Sequence, residues 1–196
     1  MADGLVLVLD GPSSVGKTTT IRALQRRWTA AQGGPLVEAG LDVARAALGP
    51  GGRGRWAELV DRVEPTVAGR PARFRYGPLG RELIGGMHRV AAAWARAGFD
   101  VALDHVILDT ATLADLHQAA EGLPLVIIGM SCDAVVLEDR EMDRVASVGD
   151  VVRGRALAQL AAVLEVVHEH TVDTTAATTD EVVEEILAIV ERERRG

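Results

Sequence analysis

Few folds accommodate a fully apolar strand that runs into a glycine-bounded turn and then a helix, and residues 5–31 have that pattern. Leu5-Val6-Leu7-Val8-Leu9 is uninterrupted by polar residues, as in a strand of a parallel sheet covered by helices on both faces. The run ends at Asp10-Gly11. From Gly16 to Ala31 the apolar positions Ile21, Leu24 and Trp28 recur on one face of a helix. The connecting residues, Gly11-Pro12-Ser13-Ser14-Val15-Gly16-Lys17-Thr18, fit the pattern G-x-x-x-x-G-K-[ST]. In that setting backbone N–H groups and the positive end of the helix cradle phosphate, a lysine reaches the β- and γ-phosphates, and the last hydroxyl ligates Mg²⁺. Gly11, Ser13, Ser14, Val15, Gly16, Lys17, Thr18 and Thr19 are therefore the candidate nucleotide-binding residues, with ATP and Mg²⁺ the expected cofactors. The bland reading is an accidental glycine turn. Agreement of strand, helix and lysine weighs against it.

Lys17 carries more weight than its position alone gives it. The chain has 21 basic residues, of which 20 are arginine and one is lysine. GC-rich coding favours arginine wherever any positive charge suffices, so one surviving lysine marks a place for a compact ammonium. It also removes the N-K-x-D guanine-specificity segment, which argues against a GTPase. A length of 196 residues leaves no room for the insertions of an oligomeric motor. What fits is a compact phosphotransferase that works by positioning and charge neutralisation. With 48% hydrophobic and 25% charged residues, one soluble domain over residues 1–196 is expected. A net charge of −7 argues against nucleic acid as the main partner. No apolar stretch is long enough for a bilayer, no signal-peptide pattern is visible, and the single Cys132 cannot form an internal disulfide. The expected location is the cytoplasm, and the oligomeric state stays open.

Further strands are expected at Leu36–Ala39, Val101–Leu103, Leu125–Met130 and His170–Asp173. Helices are expected from Leu79 to Gly98, with Leu83, Met87, Val90 and Trp94 carrying its apolar spacing, and over Ala111 to Ala120, Ala134 to Arg140 and Val151 to Glu169. Thr178-Thr179-Asp180-Glu181 has capping-box spacing and opens a last helix to about Arg194. Residues 49–76 read as an irregular excursion with one short helix around Arg55 to Val63. The alternation predicts an α/β, three-layer P-loop kinase fold with a mainly parallel five-stranded sheet.

Several residues are candidates for chemistry. Asp42 follows the second strand at the sheet edge where α/β proteins bind ligands, and could accept the proton of an attacking hydroxyl; equally, it could cap a helix over Asp42–Leu48. Asp104 ends the third strand, where a carboxylate near Mg²⁺ belongs, or serves as a turn residue. Arg140 and Arg144, with Arg153 and Arg155 after them, fall around a polar break at about 140–155, the place for a mobile lid, or form a solvated charged face. Asp10 should steady the loop, and His105 and Asp109 read as structural. Cys132 and the tryptophans Trp28, Trp56 and Trp94 read as core. Trp56 and Tyr76 could instead stack on an organic substrate.

Taken together, Gly11 to Thr18, Ala39-Gly40-Leu41-Asp42, Gly77-Pro78 through Gly98, Val101 to Asp104, Gly129 to Asp133, Arg140-Glu141 with Asp143-Arg144, and Val172-Asp173-Thr174-Thr175 occur in one order. In that order the chain resembles the chloramphenicol phosphotransferase family of P-loop kinases over most of its length. The resemblance implies transfer of the γ-phosphoryl group of ATP to a hydroxyl of a small antibiotic, a self-resistance activity. Asp42 then matches the acceptor-activating carboxylate, Lys17 and Thr18 the phosphate and Mg²⁺ positions, and Arg140 and Arg144 the lid arginines. Residues 49–76, which should line the acceptor side, have little similarity to the family. Two alternatives stand beside this reading: a metabolic kinase acting on a sugar acid or nucleoside, and a nucleotide-dependent binding protein without phosphoryl transfer.

Overall fold

The computed structural model describes residues 2–49, 56–63, 73–148 and 154–195. Five strands form a parallel sheet: β1 (Val6–Asp10), β2 (Leu36–Gly40), β5 (Asp100–His105), β6 (Leu125–Ser131) and β7 (His170–Asp173), in the order β2-β5-β1-β6-β7. The register pairs Asp10 with His105 and with Gly129, and Gly40 with Asp104, so the carboxyl ends of the three inner strands and β2 finish together.

Alternate residues of the run Leu5 to Leu9 divide the apolar interior in two, which is why that run carries no polar position. Leu5, Leu7 and Leu9 face a layer containing Trp28, Ile186 and Val190, supplied by α1 (Lys17–Gln32) and α8 (Thr179–Glu193). Val6 and Val8 face a layer containing Ile84, Met87 and Leu116, from α4 (Pro78–Arg96) and α5 (Thr110–Ala119). The result is three layers, helices on each side of a parallel sheet. Asp100 fastens the far end. Its carboxylate accepts from Leu5 N and Trp28 Nε1, each at 2.8 Å, and pairs with Arg194 at 2.7 Å. Thr178 and Glu181 form the expected capping box.

Five expectations are corrected. Among the described residues of the excursion, the helix covers Trp56–Leu59 (α3). Val60–Val63 (β3) then pairs antiparallel with Arg73–Tyr76 (β4), two short segments of alternating residues that satisfy one another's backbone groups. Residues 50–55 and 64–72 of that excursion lie outside the described residues. The polar break does not fall at Arg140. Helix α6 runs from Ala134 to Val148, so Arg140 and Arg144 are one turn apart on a single helix, and the next helix, α7, covers Arg155–Val163. The apolar residues of α4 also sort differently from their spacing. Val90 and Trp94 are 53% and 45% exposed, and Trp94 stacks edge-on against Phe99. The buried face instead carries Ile84, His88, Ala91, Ala92 and Ala95, because small residues let α4 approach the sheet and His88 is drawn inward by hydrogen bonds. Of the core tryptophans, Trp28 is buried, as Cys132 is, whereas the Trp56 side chain lies outside the described part. Finally, β5 continues through Asp104 and His105 rather than ending before them. A helix (α2, Leu41–Ala47) places Asp42 in its first turn rather than at its cap.

Candidate functional site

The loop from Gly11 to Gly16 turns tightly between β1 and α1. Gly16 takes φ +108°, a left-handed conformation that side chains resist, and a Cβ on Gly11 would lie 2.6 Å from the Met130 carbonyl oxygen. Asp10 supports the turn from below. It is wholly buried, with one oxygen accepting from Ile107 N at 2.6 Å and the other 2.8 Å from His168 Nε2. Ser14 holds φ 65° without being glycine, and its Oγ is buried with no hydrogen-bond partner among the described residues. An orphaned hydroxyl inside a loop of amide donors is what an oxyanion would satisfy.

Lys17 is 6% exposed and its Nζ donates to the carbonyls of Gly11 and Pro12, both at 2.8 Å, with Asp104 Oδ1 at 3.6 Å. Thr18 Oγ1 donates to Asp104 Oδ2 at 2.6 Å. A hydroxyl and a carboxylate so placed are hard oxygen donors, and they suit Mg²⁺ that keeps most of its remaining positions for water and phosphate. Among the described residues no group of three or more His, Cys, Asp and Glu could hold a metal by itself. Asp104 is brought here by the parallel register beside Gly40, where a Cβ would meet the Asp104 side chain at 3.0 Å.

A cleft of about 1010 Å³ opens over this edge of the sheet. Ser13, Ser14, Val15, Gly16, Lys17, Thr18 and Thr19 of the loop line it, together with Glu38, Gly40, Asp42, Val43 and Ala46 around the end of β2 and with Arg140, Arg144, Arg155 and Gln159 from α6 and α7. Of the candidate nucleotide-binding, metal and catalytic residues, all but Gly11, which shapes the turn, are brought to this one cavity; Arg153 lies outside the described residues, and Tyr76 does not line the cleft. Asp42 is exposed on its helix and faces this space together with Glu38.

Arg140 does more than line the cleft. Its guanidinium donates to Thr174 O at 2.7 Å and Thr174 Oγ1 at 3.1 Å, and reaches Cys132 Sγ at 3.4 Å. Thr174 Oγ1 lies 3.0 Å from the carbonyls of both Val15 and Ser131. Arg140 thus braces the loop through Thr174. Asp109 caps α5, accepting from Thr112 N at 2.7 Å. His105 is buried, with its Nε2 2.7 Å from His88 Nε2, and His88 Nδ1 lies 2.7 Å from Asp115. Burial and the neighbouring His88 push the His105 pKa down to about 3. Tyr76 OH donates to Val106 O at 2.7 Å, and burial pushes its hydroxyl pKa upward, so it acts as a brace rather than a stacking platform. Residues missed from the sequence are Gln159, Glu141, Thr174 and Glu38. Gln159 Oε1 accepts from Ser13 N at 2.7 Å, and the buried Glu141 carboxylate accepts from Gly154 N and Ala156 N. Among the described residues no helix is long and apolar enough to cross a membrane.

The family model described as "Chloramphenicol phosphotransferase-like protein" matches residues 4–191. No curated protein sequence matches the chain. Solved structures share its fold at low identity. The APS kinase of Mycobacterium tuberculosis, solved with AMPPNP and APS, is 14% identical at a TM-score of 0.65, covering 97% of this chain and 99% of its own. A sugar kinase from Janibacter sp. HTCC2649 is 17% identical at 0.63, covering 96% and 95%. A gluconokinase from Sinorhizobium meliloti 1021 is 18% identical at 0.58, covering 97% and 93%. The arrangement is that of a nucleotide-dependent small-molecule phosphotransferase.

Proposed function

The chain belongs to the chloramphenicol phosphotransferase-like family, and on that premise we propose that it is an ATP- and Mg²⁺-dependent kinase acting on a hydroxyl of a small metabolite. The observation that carries this reading is the placement of Thr18 Oγ1 against Asp104, beside Lys17, in a cleft that Asp42 also lines. The acceptor oxygen forms a bond to the γ-phosphorus as the bond from that phosphorus to the β,γ-bridging oxygen breaks, and ADP leaves with the bridging oxygen. The acceptor's proton goes to the Asp42 carboxylate. An alcohol is a weak nucleophile, so the carboxylate both orients it and takes its proton late, as bonding to phosphorus advances.

Lys17 exchanges its two loop carbonyls for phosphate oxygens, and the orphaned Ser14 Oγ gains an acceptor. Thr18 and Asp104 are the residues that would hold Mg²⁺, which when bound spreads the developing charge of the phosphoryl group. Arg144 lines the same space, and Arg140 keeps the loop in shape through Thr174.

Kinases for a sugar, a sugar acid or an activated sulfate are among the solved structures with this fold, which supports a metabolic acceptor. The family description supports a second reading, an antibiotic hydroxyl as acceptor and a role in resistance. The two part on one experiment. Acceptor-dependent ADP release is measured over a panel of sugars, sugar acids, nucleosides and hydroxylated antibiotics including chloramphenicol. Turnover confined to the antibiotics would replace the first reading by the second, and no turnover with any acceptor, despite ATP binding, would count against both.

A further inference from the structure

We propose that Gln159 reads the third phosphate, so that the site separates a nucleoside triphosphate from a diphosphate; this rests on the nucleotide site proposed above. Gln159 lies on α7, is 7% exposed and lines the cleft. The Ser13 N–H can only donate, so the carboxamide atom 2.7 Å from it is the oxygen, and the –NH₂ of the same planar group remains a donor. The peptide unit that Gln159 holds has a second partner. Its carbonyl, that of Pro12, accepts from Lys17 Nζ at 2.8 Å. The N–H and C=O of a trans peptide point to opposite edges, so Lys17 and Gln159 bracket one peptide from its two sides. A phosphoryl group lying over that peptide meets the ammonium from one edge and the carboxamide N–H from the other.

The bracket is built in advance. Pro12 has no N–H, and the next amide, that of Ser13, is occupied by Gln159, so later amides of the loop and Ser14 Oγ stay available for the inner phosphates. Helix α7 is itself fixed. The Glu141 carboxylate, 3% exposed, accepts from Gly154 N at 2.7 Å and Ala156 N at 2.8 Å, and Ala156, Ala158 and Ala162 are buried. A rotamer held by a packed helix loses little freedom on meeting its ligand, which makes its contribution to discrimination larger.

Two variants separate reading the phosphate from bracing the loop. Gln159→Glu keeps an oxygen for Ser13 N–H but has no –NH₂ and brings a negative charge towards the phosphate. Gln159→Leu removes both functions. Affinities for ADP and for a non-hydrolysable ATP analogue, each with Mg²⁺, are measured by calorimetry. Amide exchange at Ser13 is followed without nucleotide. In both variants the preference for the triphosphate analogue over ADP should fall about tenfold or more, since a hydrogen bond to a charged oxygen is lost. Ser13 exchange should quicken in Gln159→Leu and stay near the native rate in Gln159→Glu. An unchanged preference in both variants, or equal losses of the two nucleotides, would overturn the proposal and leave Gln159 a brace. If the native protein bound neither nucleotide, the nucleotide site itself would be wrong.

Discussion

Two carbonyls and a carboxylate surround the Lys17 ammonium, a shell that a planar, forked guanidinium cannot fill without moving the turn. Lys17→Arg should therefore lose most turnover of the best acceptor while the fold, followed by circular dichroism, is unchanged. Normal turnover would mean that any cation suffices. Asp42→Asn keeps size and loses charge, so kcat should drop by roughly 10²–10⁴, the range for a proton-accepting group. Affinity for an ATP analogue should stay close to native, because Asp42 lies on α2, after β2, and not on the loop that holds the phosphates. A near-native kcat would move the base to another residue. At this scale the sequence was most informative where chemistry is local. Gly11 to Thr18 are contiguous, so their pattern is complete on the page. Gln159 and Thr174 meet the same loop across 146 and 159 residues, with no pattern near them to announce it.

Between elements, the chain Asp115–His88–His105 links α5, α4 and β5 through polar contacts inside an apolar layer. Burial pushes the His88 pKa down, opposed by Asp115, and burial with His88 pushes His105 to about 3. Both rings are neutral in the fold at pH 7, but in the unfolded chain they protonate below about 6.5. Stability is therefore full above that pH and falls as pH drops from about 6.5 towards 3, because the unfolded state binds more protons. Urea midpoints across pH 7.5 to 4 should decline accordingly, and imidazole resonances of His105 should not titrate above pH 5. Titration near 6.5 would show that the ring is solvated. This network also explains why spacing misassigned the faces of α4. Periodicity counts apolar residues, whereas His88 turns inward because it has partners there. In the same way, α6 runs through Arg140 because Thr174 and Cys132 receive its guanidinium. A charged stretch looks like a break only when such acceptors are unknown.

For the whole molecule, the parallel order was readable because β1 is apolar on both faces, and only a sheet between two helical layers satisfies that. The pairing of β3 with β4 was not, since it joins segments separated by a stretch that carries Pro65 and Pro71 and has no clear periodicity. Nucleotide binding should register on the whole fold, because the loop is tied to β1, α1, α7 and the residues after β7. An ATP analogue with Mg²⁺ at a hundred times its dissociation constant should stabilise the native state by about 2.7 kcal/mol, a rise of several degrees in Tm. That shift should vanish in Lys17→Ala. Its persistence would place the nucleotide elsewhere.

The enclosed Lys17 has a practical corollary for handling the protein. It is the single lysine in the sequence, its side chain is 6% exposed, and its Nζ is engaged by two carbonyls. Acylating reagents aimed at lysine therefore meet no accessible side-chain amine while the phosphate-binding turn is intact. An acyl group on Lys17, read by mass spectrometry of the peptide that carries it, becomes a direct sign that the turn has come apart.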